Sequence, residues 1–373
     1  MLSDQHGCVI ICGSSNPRPN PGTPLANCAV VVCPERPLQY VSKRFLWHFD
    51  NHWFTAGSSL EPVDTPLGKL GILICADGRI PTIAAGLVAR GARLLVVVTA
   101  WVSSGRDPHQ LENIQADLLA RVRAWENAVP LVAANKIGAE YESVLYCGKS
   151  QAINADGEIV AIASQDHPET LSATITTTAE RPVVQLPLAL PPNHRQAKPQ
   201  RLALTRCLTA DQYNVASWSD VAAIICRDHA ANLQFTTQVP QIVRLDPSSP
   251  SQVVDINGQA LVVLSDDRIK DPAYLCAARL AGYDIFLWYP QALERAWILP
   301  LARTRALELR AYLLIFDSQG DIQIIDPHGS VIAGSTPTLR MPQFLYDPAL
   351  TAATTLVPGT NILDGLRCVN TQK

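Results

Sequence analysis

The run Leu70-Gly71-Ile72-Leu73-Ile74-Cys75-Ala76-Asp77-Gly78-Arg79-Ile80-Pro81 decides the fold. Its first half is apolar and carries no charge, the pattern of a strand buried on both faces. Ala76 to Pro81 reads as a turn and then a helix with proline in its first turn. Cys75 therefore stands at the carboxyl end of a strand, where open α/β sheets bind their ligands. A thiol placed there is a candidate nucleophile. The run has an echo 189 residues later, Leu261-Val262-Val263-Leu264-Ser265-Asp266-Asp267-Arg268-Ile269. Aligning Arg79 with Arg268 sets Leu264 opposite Cys75, so one copy has the thiol and the other lacks it.

Working outward from this run, short apolar segments alternate with helical patterns. Strands are expected at Cys8–Cys12, Asn27–Cys33, Leu38–Ser42, Leu94–Thr99 and Pro130–Asn135. Ser150–Asn154 and Glu158–Ser164 read as a hairpin turning at Asp156-Gly157. Helices are expected at Pro81–Arg90, closed by Gly91, and at His109–Asn127. In the second helix Leu111, Ile114, Leu118, Leu119, Val122 and Trp125 follow the helical period. Strands alternating with helices predict an α/β layered architecture.

The echo extends further. Leu119-Ala120-Arg121-Val122-Arg123-Ala124-Trp125-Glu126 aligns with Leu301-Ala302-Arg303-Thr304-Arg305-Ala306-Leu307-Glu308. Asp156-Gly157-Glu158-Ile159-Val160-Ala161 aligns with His328-Gly329-Ser330-Val331-Ile332-Ala333. Three ordered matches at similar spacing predict a second, diverged copy of one fold. The proline-rich stretch 187–200 reads as a linker, and Asp246–Ser251 as a loop. The expected organisation is a first domain at 1–186, the linker, a degenerate domain at 201–345 and a tail at 346–373.

Composition narrows the function classes. The chain has 373 residues, 47% hydrophobic and 17% charged, with a formal net charge of −3. That balance gives no electrostatic case for nucleic acid or an anionic membrane surface. The longest nearly unbroken apolar stretch, Leu94 to Val102, is too short to span a bilayer. Met1 to Gly7 has no basic segment of the signal-peptide kind, so a cytoplasmic location is expected. In that reducing setting the 10 cysteines are read as free thiols, most of them core residues. Cys226-Arg227-Asp228-His229 is a lone C-x-x-H, and neither metal nor cofactor is expected.

From Tyr40 to Ala161 the sequence resembles the nitrilase superfamily of carbon–nitrogen hydrolases. The resemblance rests on ordered motifs: Tyr40-x-x-Lys43, Phe54-x-x-Gly57, the Cys75-x-Asp77-x-Arg79-x-Pro81 elbow and Thr99-Ala100-Trp101. Arg123-Ala124-x-Glu126-Asn127, Ala134-Asn135-x-x-Gly138 and Gly148-x-Ser150 follow in order. It implies an αββα sandwich, often dimerised, and a Glu–Lys–Cys triad that cleaves amides, nitriles or carbamoyl groups. Carried over by position, the nucleophile is Cys75 and the lysine is Lys43, with Trp101 and Glu140 as pocket candidates. The chemistry suits those residue types. A free thiol with a pKa near 8.5 is only about 3% ionised at pH 7. A nearby cation and a helix start raise its reactivity. A lysine also stabilises an oxyanion and assists a leaving amine. Asp77 and Arg79 are read as shaping the elbow, and Arg123 with Glu126 as a structural ion pair.

One motif departs from the resemblance, which implies a glutamate base in a Pro-Glu pair well before the lysine. Pro34-Glu35 lies only eight residues before Lys43 and reads as a turn. Only Asp50 stands near the place of the usual second acid. Two readings follow: either the native chain starts earlier, or this is a shortened member whose open sheet edge another subunit or the second copy covers. The expected function is a cysteine hydrolase of a small carbon–nitrogen substrate, as a homodimer or intramolecular pseudo-dimer. The alternative is an inactive relative with a binding or assembly role.

Overall fold

The computed structural model describes residues 2–16, 25–107, 109–177, 190–193, 198–207, 221–228, 241–244, 253–317, 321–336 and 341–367. The chain divides into two units, one of Met1–Val184 with Thr355–Lys373, the other Gln185–Thr354. The expected tail 346–373 is thus split. The helix Pro348–Ala352 stays with the second unit, while Thr355 onward returns to the first. The return has an apolar cause: Ile362 and Leu366 are buried there. Much of the expected linker, the Asp246–Ser251 loop and His229 of the C-x-x-H lie outside the described residues.

The first unit opens with helix α1 (Leu2–His6) and a sheet of β1 (Ile10–Asn16), β2 (Ala26–Val32) and β3 (Gln39–Ser42), in that order and antiparallel. Helix α2 (Asp50–Trp53) follows. Next come β4 (Val63–Thr65), β5 (Gly68–Ile74), α3 (Pro81–Ala89), β6 (Leu94–Thr99), α4 (Ala120–Asn127) and β7 (Leu131–Asn135). The hairpin β8 (Ile137–Glu140) and β9 (Val144–Cys147) precedes β10 (Gln151–Ile153) and β11 (Ile159–Ile162). Strands β11-β10-β7-β6-β5-β4 form one sheet. Its centre, β5-β6-β7, is parallel, and the outer pairs are antiparallel.

The parallel centre explains the uninterrupted apolar runs, because both faces of β5 are covered. Leu73, Leu95, Val97 and Leu131 face a core shared with Ile83, Ala84 and Leu87 of α3 and Ala120 and Ala124 of α4. Leu70, Ile72, Ile74 and Val96 face Ala29 and Val31 of the three-stranded sheet and Cys33 just after β2. These clusters define the layers helix, sheet, sheet. Cys8, Cys12, Cys28, Cys33, Cys75, Cys147 and Cys276 are free, and no helix among the described residues is long and apolar enough to cross a membrane.

The expected helix His109–Asn127 starts late: a leading π-helical turn, Gln115–Leu119, runs directly into α4. Asn113 ends the preceding loop: its Oδ1 accepts from Gln115 N at 2.8 Å, and Asp117 Oδ2 accepts from Asn113 N at 2.8 Å. These reciprocal bonds satisfy the first-turn donors and fix the start. Leu111 is buried in the loop before it.

The second unit has a sheet of β12 (Gln200–Cys207), β13 (Val221–Asp228), β14 (Gln241–Arg244) and β21 (Gln343–Tyr346), ordered β14-β13-β12-β21. Its other sheet runs β15 (Val253–Ile256), β16 (Gln259–Leu264), β17 (Ile285–Trp288), β18 (Tyr312–Phe316), β19 (Ile322–Ile325) and β20 (Val331–Gly334) in chain order. The pair directions along it are antiparallel, parallel, parallel, antiparallel, antiparallel. From β4 to β11, the six-stranded sheet of the first unit has the same order and directions. Helix Pro272–Leu280 separates β16 from β17, and helix Arg295–Leu309 separates β17 from β18.

Candidate active site

Cys75 begins a tight 3-10 turn, Cys75–Arg79, directly after β5, with φ +47°. An L-residue in that left-handed region is strained by roughly 1–2 kcal/mol, so the surroundings must hold it. Asp77 supplies much of that hold. It is fully buried, and its Oδ2 accepts from Ile74 N at 3.1 Å. Its Oδ1 accepts from Arg44 N at 3.0 Å and Phe45 N at 2.7 Å. The Arg44 guanidinium lies 3.8 Å away and donates to the carbonyls of Ser59 and Ile72. Burial pushes the Asp77 carboxyl above its ordinary range, while Arg44 and the backbone donors oppose it.

The same bonds place the lysine, because Arg44 and Phe45 directly follow Lys43. Lys43 ends the segment leaving β3 and is almost completely buried. Its Nζ lies 2.5 Å from Asp50 Oδ2. Asp50 also accepts from Asn27 Nδ2 at 3.1 Å and from Trp47 N at 3.0 Å. A buried ammonium is thus neutralised and aimed. The Phe54-x-x-Gly57 motif serves the same corner. Gly57 N donates to Lys43 O at 2.8 Å, and a Cβ on Gly57 would come within 2.8 Å of Ser42 backbone.

Trp101 follows β6 and is buried. Its backbone N donates to Asn135 Oδ1 at 2.7 Å, and its carbonyl accepts from Cys147 N at 3.0 Å. This gives the Asn135 of the Ala-Asn motif a role. Gln115, also buried, stands between Trp101 and Cys75. In the orientation that satisfies both neighbours, its amide nitrogen donates to Cys75 O at 2.8 Å and its oxygen accepts from Trp101 Nε1 at 3.2 Å. Arg123 braces the elbow from α4, donating to Gly78 O at 3.0 Å while pairing with Glu126 at 2.6 Å. Arg79 stacks over the Trp47 ring at 4.6 Å.

Glu140 lies on the β8–β9 hairpin, half-exposed, pairing with Lys136 at 2.9 Å and accepting from Tyr146 Oη. Those two partners hold its carboxyl below the usual range. Cys147 is fully buried, and burial pushes its thiol up to about 11. The loop from His48 to Trp53 is clasped by the returning chain end. His48 N donates to Thr360 Oγ1 at 2.7 Å, and Asn51 Nδ2 to Gly359 O at 2.9 Å. Glu35 sits in the turn between β2 and β3 with φ +54°, its N–H on Asp4. Lys43 leaves the other end of β3, a four-residue strand about 13 Å long. A cleft lined by Lys69, Arg90, Arg93 and Asn127 opens at the opposite, amino end of β5 and includes none of the site residues.

Sequence reading brought Cys75, Lys43 and Trp101 to this corner. It passed over Gln115, which lies between Leu111 and Leu119 at intervals of four on the buried stripe. A polar residue at that position was the available signal.

In the second unit, Leu264 ends β16 and is buried, and Ser265 caps the next helix, accepting from Arg268 N. Asp266 there accepts from Trp288 Nε1 at 2.8 Å and from the N–H groups of Gln291 and Ala292.

The sequence model of the family described as Carbon-nitrogen hydrolase matches residues 1–183. This segment is therefore similar to the carbon–nitrogen hydrolases. A probable nitrilase of Schizosaccharomyces pombe is 32% identical over 141 residues, 38% of this chain and 49% of that protein. A deaminated glutathione amidase of Bos taurus is 36% identical over 110 residues, 29% of this chain and 32% of that protein. A solved carbon–nitrogen hydrolase of Helicobacter pylori has a TM-score of 0.41 and 26% identity, covering 45% of this chain and 62% of that one. The chain thus spans about a third to a half of these two curated relatives.

Proposed function

We propose that the chain is a hydrolase of carbon–nitrogen bonds other than peptide bonds, acting on a small amide, nitrile or carbamoyl substrate through a thioester on Cys75. The observation that carries this reading is the elbow: a strained strand-end thiol, joined through Asp77 to the segment that delivers the Lys43–Asp50 pair. For an amide, the Cys75 thiol gives up its proton to the Lys43–Asp50 pair as Sγ attacks the carbonyl carbon, and the carbon–oxygen π electrons move to the oxygen; that proton is the one later passed to the leaving nitrogen. The Lys43 ammonium and the first backbone N–H groups of the turn stabilise that oxyanion. The carbon–nitrogen bond breaks, the nitrogen takes a proton from the Lys43 side, and the amine leaves. Water then attacks the thioester and releases the acid and the thiol. Asp50 keeps Lys43 oriented. Trp101 and Glu140 are the residues proposed to bound the pocket.

We read the second unit as a diverged copy of the same fold without the chemistry. Support comes from the matching sheet order and from paired details. Arg121 Nε donates to Gly157 O at 2.9 Å, and Arg303 Nε to Gly329 O at 2.8 Å. Arg123 pairs with Glu126, and Arg305 with Glu308 at 2.8 Å. Leu264 leaves that copy without a nucleophile. The test is ammonia or amine release from a panel of ω-amides, nitriles and N-carbamoyl compounds by the wild-type chain and Cys75→Ala. Release that depends on Cys75 is expected; release that survives the substitution refutes the proposal.

A further inference from the structure

The Gln115 bridge bears on more than packing. Cys75 O and Ala76 N–H belong to one planar trans peptide, so they point in opposite directions. Gln115 draws Cys75 O into the protein, toward the Trp101 indole. The Ala76 N–H is thereby turned away from Gln115. It lies in the first turn of the 3-10 segment, where N–H groups receive no partner from the turn itself. Cys75 has no glycine-like freedom to absorb a rotation of this plane, because it already occupies the left-handed region. The bridge is anchored at its far end too, since both backbone groups of Trp101 are hydrogen-bonded. Gly78 leaves the amide room, a Cβ there meeting the end of the Gln115 side chain at 3.3 Å.

We infer that Gln115 is a positioning residue that fixes the Cys75–Ala76 peptide plane and so aims the Ala76 N–H at the oxyanion of the tetrahedral intermediate. The inference rests on the proposed role of Cys75 as nucleophile. Gln115 touches no reacting atom; it acts through Cys75 and Trp101.

Two probes of the same thiol separate this role from a general loosening of the elbow. Acylation by p-nitrophenyl acetate passes through an oxyanion. Alkylation by iodoacetamide is a displacement at carbon and forms none. In Gln115→Leu the acylation rate of Cys75 is expected to fall about ten- to a hundredfold, the order seen when an oxyanion donor is lost or misaimed. The alkylation rate should stay within about threefold, since no oxyanion donor is needed. Gln115→Glu keeps the shape and, once ionised, cannot donate to Cys75 O; the same split is expected from it. Peptide mass mapping assigns each adduct to Cys75, and melting temperatures confirm that the variants are folded. If Gln115→Leu does not fold, Gln115→Glu carries the test. Equal loss in both reactions, or loss in neither, overturns the inference and leaves the role of Cys75 standing. A wild-type Cys75 inert to both reagents overturns the hydrolase reading, and this inference with it.

Discussion

Replacing Asp77 by Asn tests how the site is held together. Asn keeps one oxygen for Arg44 N and Phe45 N but presents an NH2 group to Ile74 N, which now donates at 3.1 Å. One donor is left facing another, and the Arg44 guanidinium, 5% exposed, loses its counter-charge. Removing one partner of a buried pair costs about 3–5 kcal/mol, and a charge-assisted hydrogen bond accounts for roughly 1.5–3 kcal/mol of this. At about 1.4 kcal/mol per decade, the amides of Arg44, Phe45 and Ile74 should exchange with solvent roughly a hundred- to a thousandfold faster. Hydrogen exchange read by mass spectrometry on peptides covering 40–47 and 70–80 measures this locally, apart from the second unit. Iodoacetamide labelling of Cys75 should slow in parallel, because the strained elbow relaxes. Exchange within about threefold of the wild type would refute the view that Asp77 joins the lysine segment to the elbow.

Removing residues 355–373 uncovers Phe45 and Ile80 and deletes buried Ile362 and Leu366, a loss of about 4 kcal/mol of burial; faster exchange of the His48–Trp53 loop is the readout. Cys147 should resist iodoacetamide at pH 8, because its thiol titrates near 11. Its native pKa lies above the ordinary 9.0, so its contribution to stability is present below pH 9 and lost between pH 9 and about 11; the stability of Cys147→Ala, read by urea denaturation, should decline less over that window. In the second unit, Arg305→Met takes the guanidinium away from fully buried Glu308 and should cost about 3–5 kcal/mol, while Arg305→Met with Glu308→Leu should recover most of it in urea denaturation.

The central strands were legible because hydrophobic runs and length agreed; β6 lies at Leu94–Thr99, where the apolar run places it. The β8–β9 hairpin was not, for a definite reason. Its turn residues Tyr141 and Glu142 have φ of +50° and +52°, a conformation that sequences normally signal with Asn-Gly or Asp-Gly. The start of α4's leading turn was misplaced because the apolar period runs back to Leu111, while the side chains of Asn113 and Asp117 set the boundary. Within the site, the thiol, the lysine and the elbow were visible as residue types at fixed spacing. The links between them were not, because the Asp77 and Gln115 bonds join segments distant in sequence, and no local pattern encodes such a bond. Asp50 stood out only as the nearest acid until its bond to Lys43 gave it a function.

The central claim is that Cys75 forms the covalent intermediate, and the most direct measurement is the mass of its peptide during turnover. Acid quenching of the chain with an amide that it hydrolyses should leave the Cys75 peptide heavier by the acyl group, an adduct released by hydroxylamine and absent from Cys75→Ala. Hydrolysis at an unchanged rate with the Cys75 peptide unmodified throughout, and still proceeding in Cys75→Ala, would contradict the account.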